Sequence, residues 1–88
     1  MIVKIPRLFA EDHDNNRELP SGKRLDVNSH YVTYDADQEE LEEWLNDAQF
    51  YADVDYWRAA TDGNHHYLLP TIKSAQRAVP RIKKVLNA

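Results

Sequence analysis

Aspartate and histidine adjoin in the run EDHD, residues 11–14, and that pairing could support two kinds of chemistry. A carboxylate beside an imidazole can orient a general base, and the same oxygen and nitrogen donors can hold a metal ion. His30 stands by itself ahead of an alternating stretch, and His65 and His66 are adjacent. Neighbours on a helix point to different faces, so His65 and His66 lack the i, i+4 spacing with which two imidazoles grip one ion. EDHD has donors but no second half to complete a coordination shell. No nucleophile stands in a recognisable elbow, and there is no cysteine. With Gly22 and Gly63 the only glycines, no phosphate-cradling loop or dinucleotide fingerprint can be written. These residues predict a protein without catalytic activity, metal or cofactor.

Charge carries a stronger signal. Tyr34 to Asp55 holds nine carboxylates and no lysine or arginine. Residues 35–62 hold ten acids against one base, Arg58, whereas residues 63–88 hold five bases, Lys73, Arg77, Arg81, Lys83 and Lys84, and no acid. The net charge of −4 conceals this polarity. Wound as a helix, the acidic run gathers Leu41, Trp44, Leu45, Ala48, Tyr51 and Ala52 on one side, with Glu39, Glu40, Glu42, Glu43 and Asp47 across the other. Solvation of an ordinary outer face accounts for such carboxylates, and Asp37, Glu39 and Glu40 complement the positive helix start.

Two features point beyond solvation. No glutamate of the face has a base four residues on, so like charges repel without compensation. Phe50 projects opposite Leu41, beyond Glu39, Glu43 and Asn46, and a phenylalanine among carboxylates suits a basic, partly apolar partner. The competing reading bends or ends the helix near Ala48 and turns Phe50 into the core with Tyr56 and Trp57. The expected function is non-enzymatic recognition of a protein partner through Glu39, Glu43, Asp47 and Phe50.

Lys73, Arg77, Arg81 and Lys84 form a stripe opposite Ile72 and Val79, and offer nucleic-acid binding as the alternative. Against it, cations near a helix C-terminus are favoured by the dipole alone, and an acidic chain without a binding motif is a poor nucleic-acid ligand. A DNA-mimicking inhibitor is a further alternative, although five outward acids make a short line and the basic tail dilutes their field. If both helices bury their apolar stripes in one core, their charged edges point outward in different directions. The domain then has an acidic and a basic side, through which it could associate with a partner or with itself.

These stripes need elements to hold them. A chain of 88 residues is one domain at most, with one core, and 42% hydrophobic residues with two tryptophans and five tyrosines are too many for a disordered chain. IVKI, residues 2–5, predicts a strand closed by Pro6. PRLFAEDHDNNREL predicts a short helix entered at Pro6, with Leu8 and Phe9 inward, stopped by LPSG at 19–22. KRLDVN and SHYVTYD alternate and predict a hairpin turning near Asn28–Ser29, with Leu25 and Val27 sharing a face. Asp37 and Glu40 form a D-x-x-E capping box that starts the acidic helix. DVDYWRAATDGN reads as an irregular link anchored by Tyr56 and Trp57 and closed by an Asp62–Gly63 turn.

From about residue 65, Leu68, Ile72, Ala75, Val79, Ile82 and Leu86 recur at helix spacing. Pro70 fits a first turn, but Pro80 falls inside the pattern, where a proline costs roughly 3 kcal/mol, and predicts a kink or two helices in sequence. The expected architecture is α+β: a small antiparallel sheet, from the N-terminal strand plus hairpin, packed against two longer amphipathic helices and one short helix. No run is apolar enough for a signal peptide or a bilayer span, which predicts a cytoplasmic protein.

The runs IPRLFAEDHDNNRELP, LNDAQFYAD and IKSAQRAV resemble, in that order, small uncharacterised proteins of actinobacteria and actinobacterial phages. In that group an IP-x-x-F/Y-x-x-DH start, an R-x-LP turn, an L-x-DA-x-(F/Y)-YA helix and an S-A-x-x-A-V-like last helix follow one another. The similarity covers most of the chain in short pieces, and the chain departs from it by an additional asparagine in HDNNRE and by Pro80. The resemblance brings no catalytic or binding residue with it. It implies that Asp12–His13, Arg17, Leu19–Pro20 and Asp47–Ala48 belong to a shared framework. It also implies a phage-type accessory protein working in a bacterial cytoplasm, and the partner expected for the acidic face is then a host or phage protein. From the residues themselves, His13 and Arg17 share a helix face and are expected to join a polar network tying that helix to the LPSG turn.

Overall fold

The computed structural model describes residues 1–15 and 21–88. Three strands, β1 (Ile2–Pro6), β2 (Lys23–Val27) and β3 (Tyr31–Asp35), form an antiparallel sheet in the order β1-β3-β2. The middle place falls to the strand richest in β-formers, and its Val32 and Tyr34 are buried alongside Val3 and Ile5 of β1. The hairpin turns where expected. Asn28 Oδ1 accepts the backbone N–H groups of both His30 and Tyr31 at 2.8 Å, so a side chain closes the turn without glycine.

Four helices complete the α+β fold: α1 (Arg7–Asn15), α2 (Gln38–Ala52), α3 (Val54–Ala60) and α4 (Leu69–Leu86), the last entered through a 3-10 turn at His66–Leu68. The capping box of α2 is formed in both directions. Asp37 Oδ1 accepts from the Glu40 N–H at 2.8 Å, and Glu40 Oε1 from the Asp37 N–H at 3.0 Å. Such a cap contributes about 1 kcal/mol. The apolar stripe of α2 also lies as expected, with Leu41, Trp44 and Ala48 fully buried and Leu45, Tyr51 and Ala52 packed at the margin. Helix α4 lies against α2 and covers β1 and α1, placing Ala75, Ala78 and Ile82 in the same core.

Three expectations are corrected. Leu8 is 42% exposed, because α1 turns Phe9, Ala10 and His13 inward and leaves Leu8 on the rim. Leu25 and Val27 do not share a buried face: a bulge between Arg24 and Asp26 breaks the alternation, and both side chains are exposed. The supposed irregular link contains α3, started by Asp53, whose Oδ1 accepts the Tyr56 N–H at 3.1 Å. Of the alternatives at Pro80, a single helix or two in sequence, α4 takes the first and runs through the proline as one element. Pro80 and Gln76 both lie on its exposed side, where water can solvate the carbonyl that the proline leaves without a donor. Asp62 and Gly63 form the expected turn with φ of 53° and 86°. Among the described residues no helix is long and apolar enough to cross a membrane.

Candidate functional site

Packing of α1 on α2 gathers three groups that stand far apart in sequence: His13, Ser21 and Asp47. The His13 ring stacks on the Trp44 indole at 3.8 Å. Its Nδ1 lies 2.7 Å from Asp47 Oδ2 and its Nε2 3.4 Å from Ser21 Oγ. This is the order of a nucleophile, a base and an orienting carboxylate. The Ser21 hydroxyl, however, donates to Glu43 Oε2 at 2.8 Å and so directs its proton away from the imidazole. Ser21 and His13 are 3% and 1% exposed, which keeps a substrate from reaching either. The Trp44 indole N–H donates to the Ser21 carbonyl. Gly22 follows at φ +117°, and a Cβ on it would lie 3.0 Å from that of Ala36. The cluster therefore fastens α1, Ser21 and α2 together, and of the polar network expected around His13 this is the part that falls within the described residues. It also joins two of the resembling motifs, DH and DA. Arg17 and Leu19–Pro20 lie outside the described residues.

A second network escapes sequence reading. Asp14 Oδ2 accepts from Tyr34 OH at 2.5 Å and from Arg24 Nη2 at 2.8 Å. Burial, and then the Asp14 carboxylate, push the Tyr34 phenol well above the usual tyrosine range. The hydrogen bond to Asp14 likewise raises the Arg24 guanidinium. On the other side of α1, Thr71 Oγ1 donates to Asp12 Oδ2 at 2.5 Å and so ties α1 to α4.

The acidic face is divided by these contacts. Glu39 is exposed to solvent, but Glu43 accepts from Ser21, and Asp47, half-buried, faces His13. Glu43 and Asp47 thus make contacts within the chain; Glu43 stays exposed beside Glu39 and Glu42, whereas Asp47 is drawn partly inward. Phe50 is 46% exposed, since α2 continues past Ala48 to Ala52 and does not turn it into the core. It nevertheless meets the two rings that the competing reading named, with Tyr56 and Trp57 each 5.1 Å away. Tyr56 is 47% exposed, while Trp57 stacks behind on Tyr51. The buried Trp57 indole N–H has no acceptor among the described residues. Asp53 and Asp55 stand exposed at the same corner, and Arg58 lies 4.0 Å from Asp55.

The basic stripe is intact. Lys73, Arg77, Arg81 and Lys84 are all exposed, and among the described residues no carboxylate of α2 pairs with a base of α4. Arg81 lies over the Tyr31 ring, 4.3 Å from its centroid, and Nη2 donates to the Tyr31 hydroxyl at 2.8 Å. An open cleft of about 460 Å³ is lined by Tyr31, Arg77, Pro80, Arg81 and Lys84. His65 and His66 stack on each other at 4.7 Å, and among the described residues no three metal-ligating side chains are gathered. No protein-family model, curated protein or solved structure matches this chain.

Proposed function

We propose that the chain is a non-enzymatic recognition module that docks a basic, partly apolar segment of a protein partner at the corner where α2 meets α3. One observation carries the reading: Phe50 and Tyr56, 46% and 47% exposed, stand 5.1 Å apart on the surface. Paired aromatics of this kind are the side chains that anchor interfaces, because they present large area with few rotatable bonds. Glu39 farther up α2, with Asp53 and Asp55 beside the rings, supplies the charge that would select a cationic segment. In the setting that the resemblance implies, the partner is a host or phage protein met in the bacterial cytoplasm.

Affinity capture from a host lysate with the wild-type chain and with a Phe50→Ser/Tyr56→Ser variant tests this, partners being identified by mass spectrometry. The expected result is a partner held by the wild type and lost by the variant, with a melting temperature lowered by only a few degrees. Equal capture by both would place the interface elsewhere. Unfolding on Phe50→Ser alone would make Phe50 a core residue and remove the site.

A further inference from the structure

We propose that the cleft between α4 and β3 binds the sugar–phosphate backbone of single-stranded nucleic acid, on a face separate from the aromatic corner. Lys73, Arg77, Arg81 and Lys84 recur at about one per turn, so the row extends roughly 16 Å at 1.5 Å per residue. None of the four is in an ion pair among the described residues, and no acid lies on α4 to neutralise them. Tyr31, which sequence reading left out of the set, gives the row its fixed point. Its hydroxyl and ring hold the Arg81 guanidinium in place, and the outer face of that plane is a surface on which an unpaired base can stack. Arg77 and Lys84, one turn to either side, are placed to meet the flanking phosphates. The cleft is open along its length, so a strand can lie in it without threading.

The stacking plane decides which nucleic acid fits. A single strand can follow the cationic row and offer an unpaired base to the Arg81 plane, whereas a duplex keeps its bases paired and stacked within the helix. An acidic peptide would meet the same charges but would leave the stacking plane of Arg81 unused.

Fluorescence anisotropy of a labelled fifteen-residue oligothymidylate, read between 20 and 200 mM NaCl, tests the proposal. The expected result is binding whose logarithm falls against log salt with a slope of about −2, for the phosphates met by Lys73, Arg77 and Lys84 at roughly −0.7 each. Arg77→Gln/Lys84→Gln, two exposed positions without a bonded partner, is expected to weaken binding at least tenfold and to flatten the slope by about 1.4, with an unchanged melting temperature. Absence of binding at the lowest salt overturns the proposal, as does an unchanged affinity of the double variant. Duplex DNA or a polyglutamate peptide bound as tightly as the oligothymidylate would overturn it too.

Discussion

Trp44→Ala is expected to bring the chain to the edge of unfolding. Trp44 is fully buried, and its ring meets His13 at 3.8 Å, Tyr34 at 4.9 Å and Phe9 at 5.8 Å. It thus touches α1, the sheet and its own helix at once, and its indole N–H donates to the Ser21 carbonyl. Truncating a buried tryptophan to alanine costs about 3–5 kcal/mol, and a carbonyl left without its donor adds to that. The whole stability of a chain this size is about 4–13 kcal/mol. A thermal melt followed by circular dichroism should show the midpoint fall by more than roughly 15 °C, or no cooperative transition at all. Trp44→Phe, which keeps most of the volume and loses the N–H, should still melt cooperatively. A midpoint within a few degrees of wild type in Trp44→Ala would mean that the core is not centred where it is described.

Raising the pH beyond 10 is expected to weaken the fold through Tyr34. In the folded chain, burial and the Asp14 carboxylate hold the phenol in its protonated form, whereas in the unfolded chain it titrates near 10. A group whose folded value is raised contributes stability that is fully present below the unfolded value. That stability is lost as the pH climbs from there toward the folded value. Tyr51, raised by burial and by the nearby Asp47 and Asp12 carboxylates, acts in the same direction. The wild-type melting temperature should therefore fall progressively as the pH rises above about 10. Tyr34→Phe should begin lower, having lost its bond to Asp14, and then decline less. Parallel curves for the two proteins would contradict the role given to the phenol.

The features legible in the sequence are those that the chain decides locally. Asp37 and Glu40 are three residues apart, and the stripe from Leu41 to Ala52 repeats within its own helix, so both could be read off directly. The same holds for the turn at Asn28, which uses its own side chain. Helix α3 was hidden because none of its residues is buried, which leaves no apolar period to detect, and its start depends on a single cap at Asp53. The bulge at Leu25 was hidden because alternation alone does not report an inserted residue.

The candidate sites divide in the same way. The cations of α4 announced themselves by spacing, whereas Tyr31, which holds Arg81 in the cleft, lies 50 residues away and joins them only through packing. Projection placed Phe50 on the outside but could not supply Tyr56, since that pairing depends on how the chain turns from α2 into α3. Glu43 and Asp47 looked free for the opposite reason: Ser21 and His13, their partners, come from segments that no helical wheel contains.

Both proposed docking surfaces depend on two helices of opposite sign that lie side by side and, among the described residues, form no ion pair with each other. The melting temperature between 10 and 150 mM NaCl, where the screening length shrinks from about 30 Å to about 8 Å, reads this directly. A midpoint that rises with salt is expected, because screening relieves repulsion within each helix while, among the described residues, no carboxylate of α2 pairs with a base of α4. A midpoint that falls with salt would show that the carboxylates of α2 and the bases of α4 hold each other in the folded state, and neither surface would then be available to a partner.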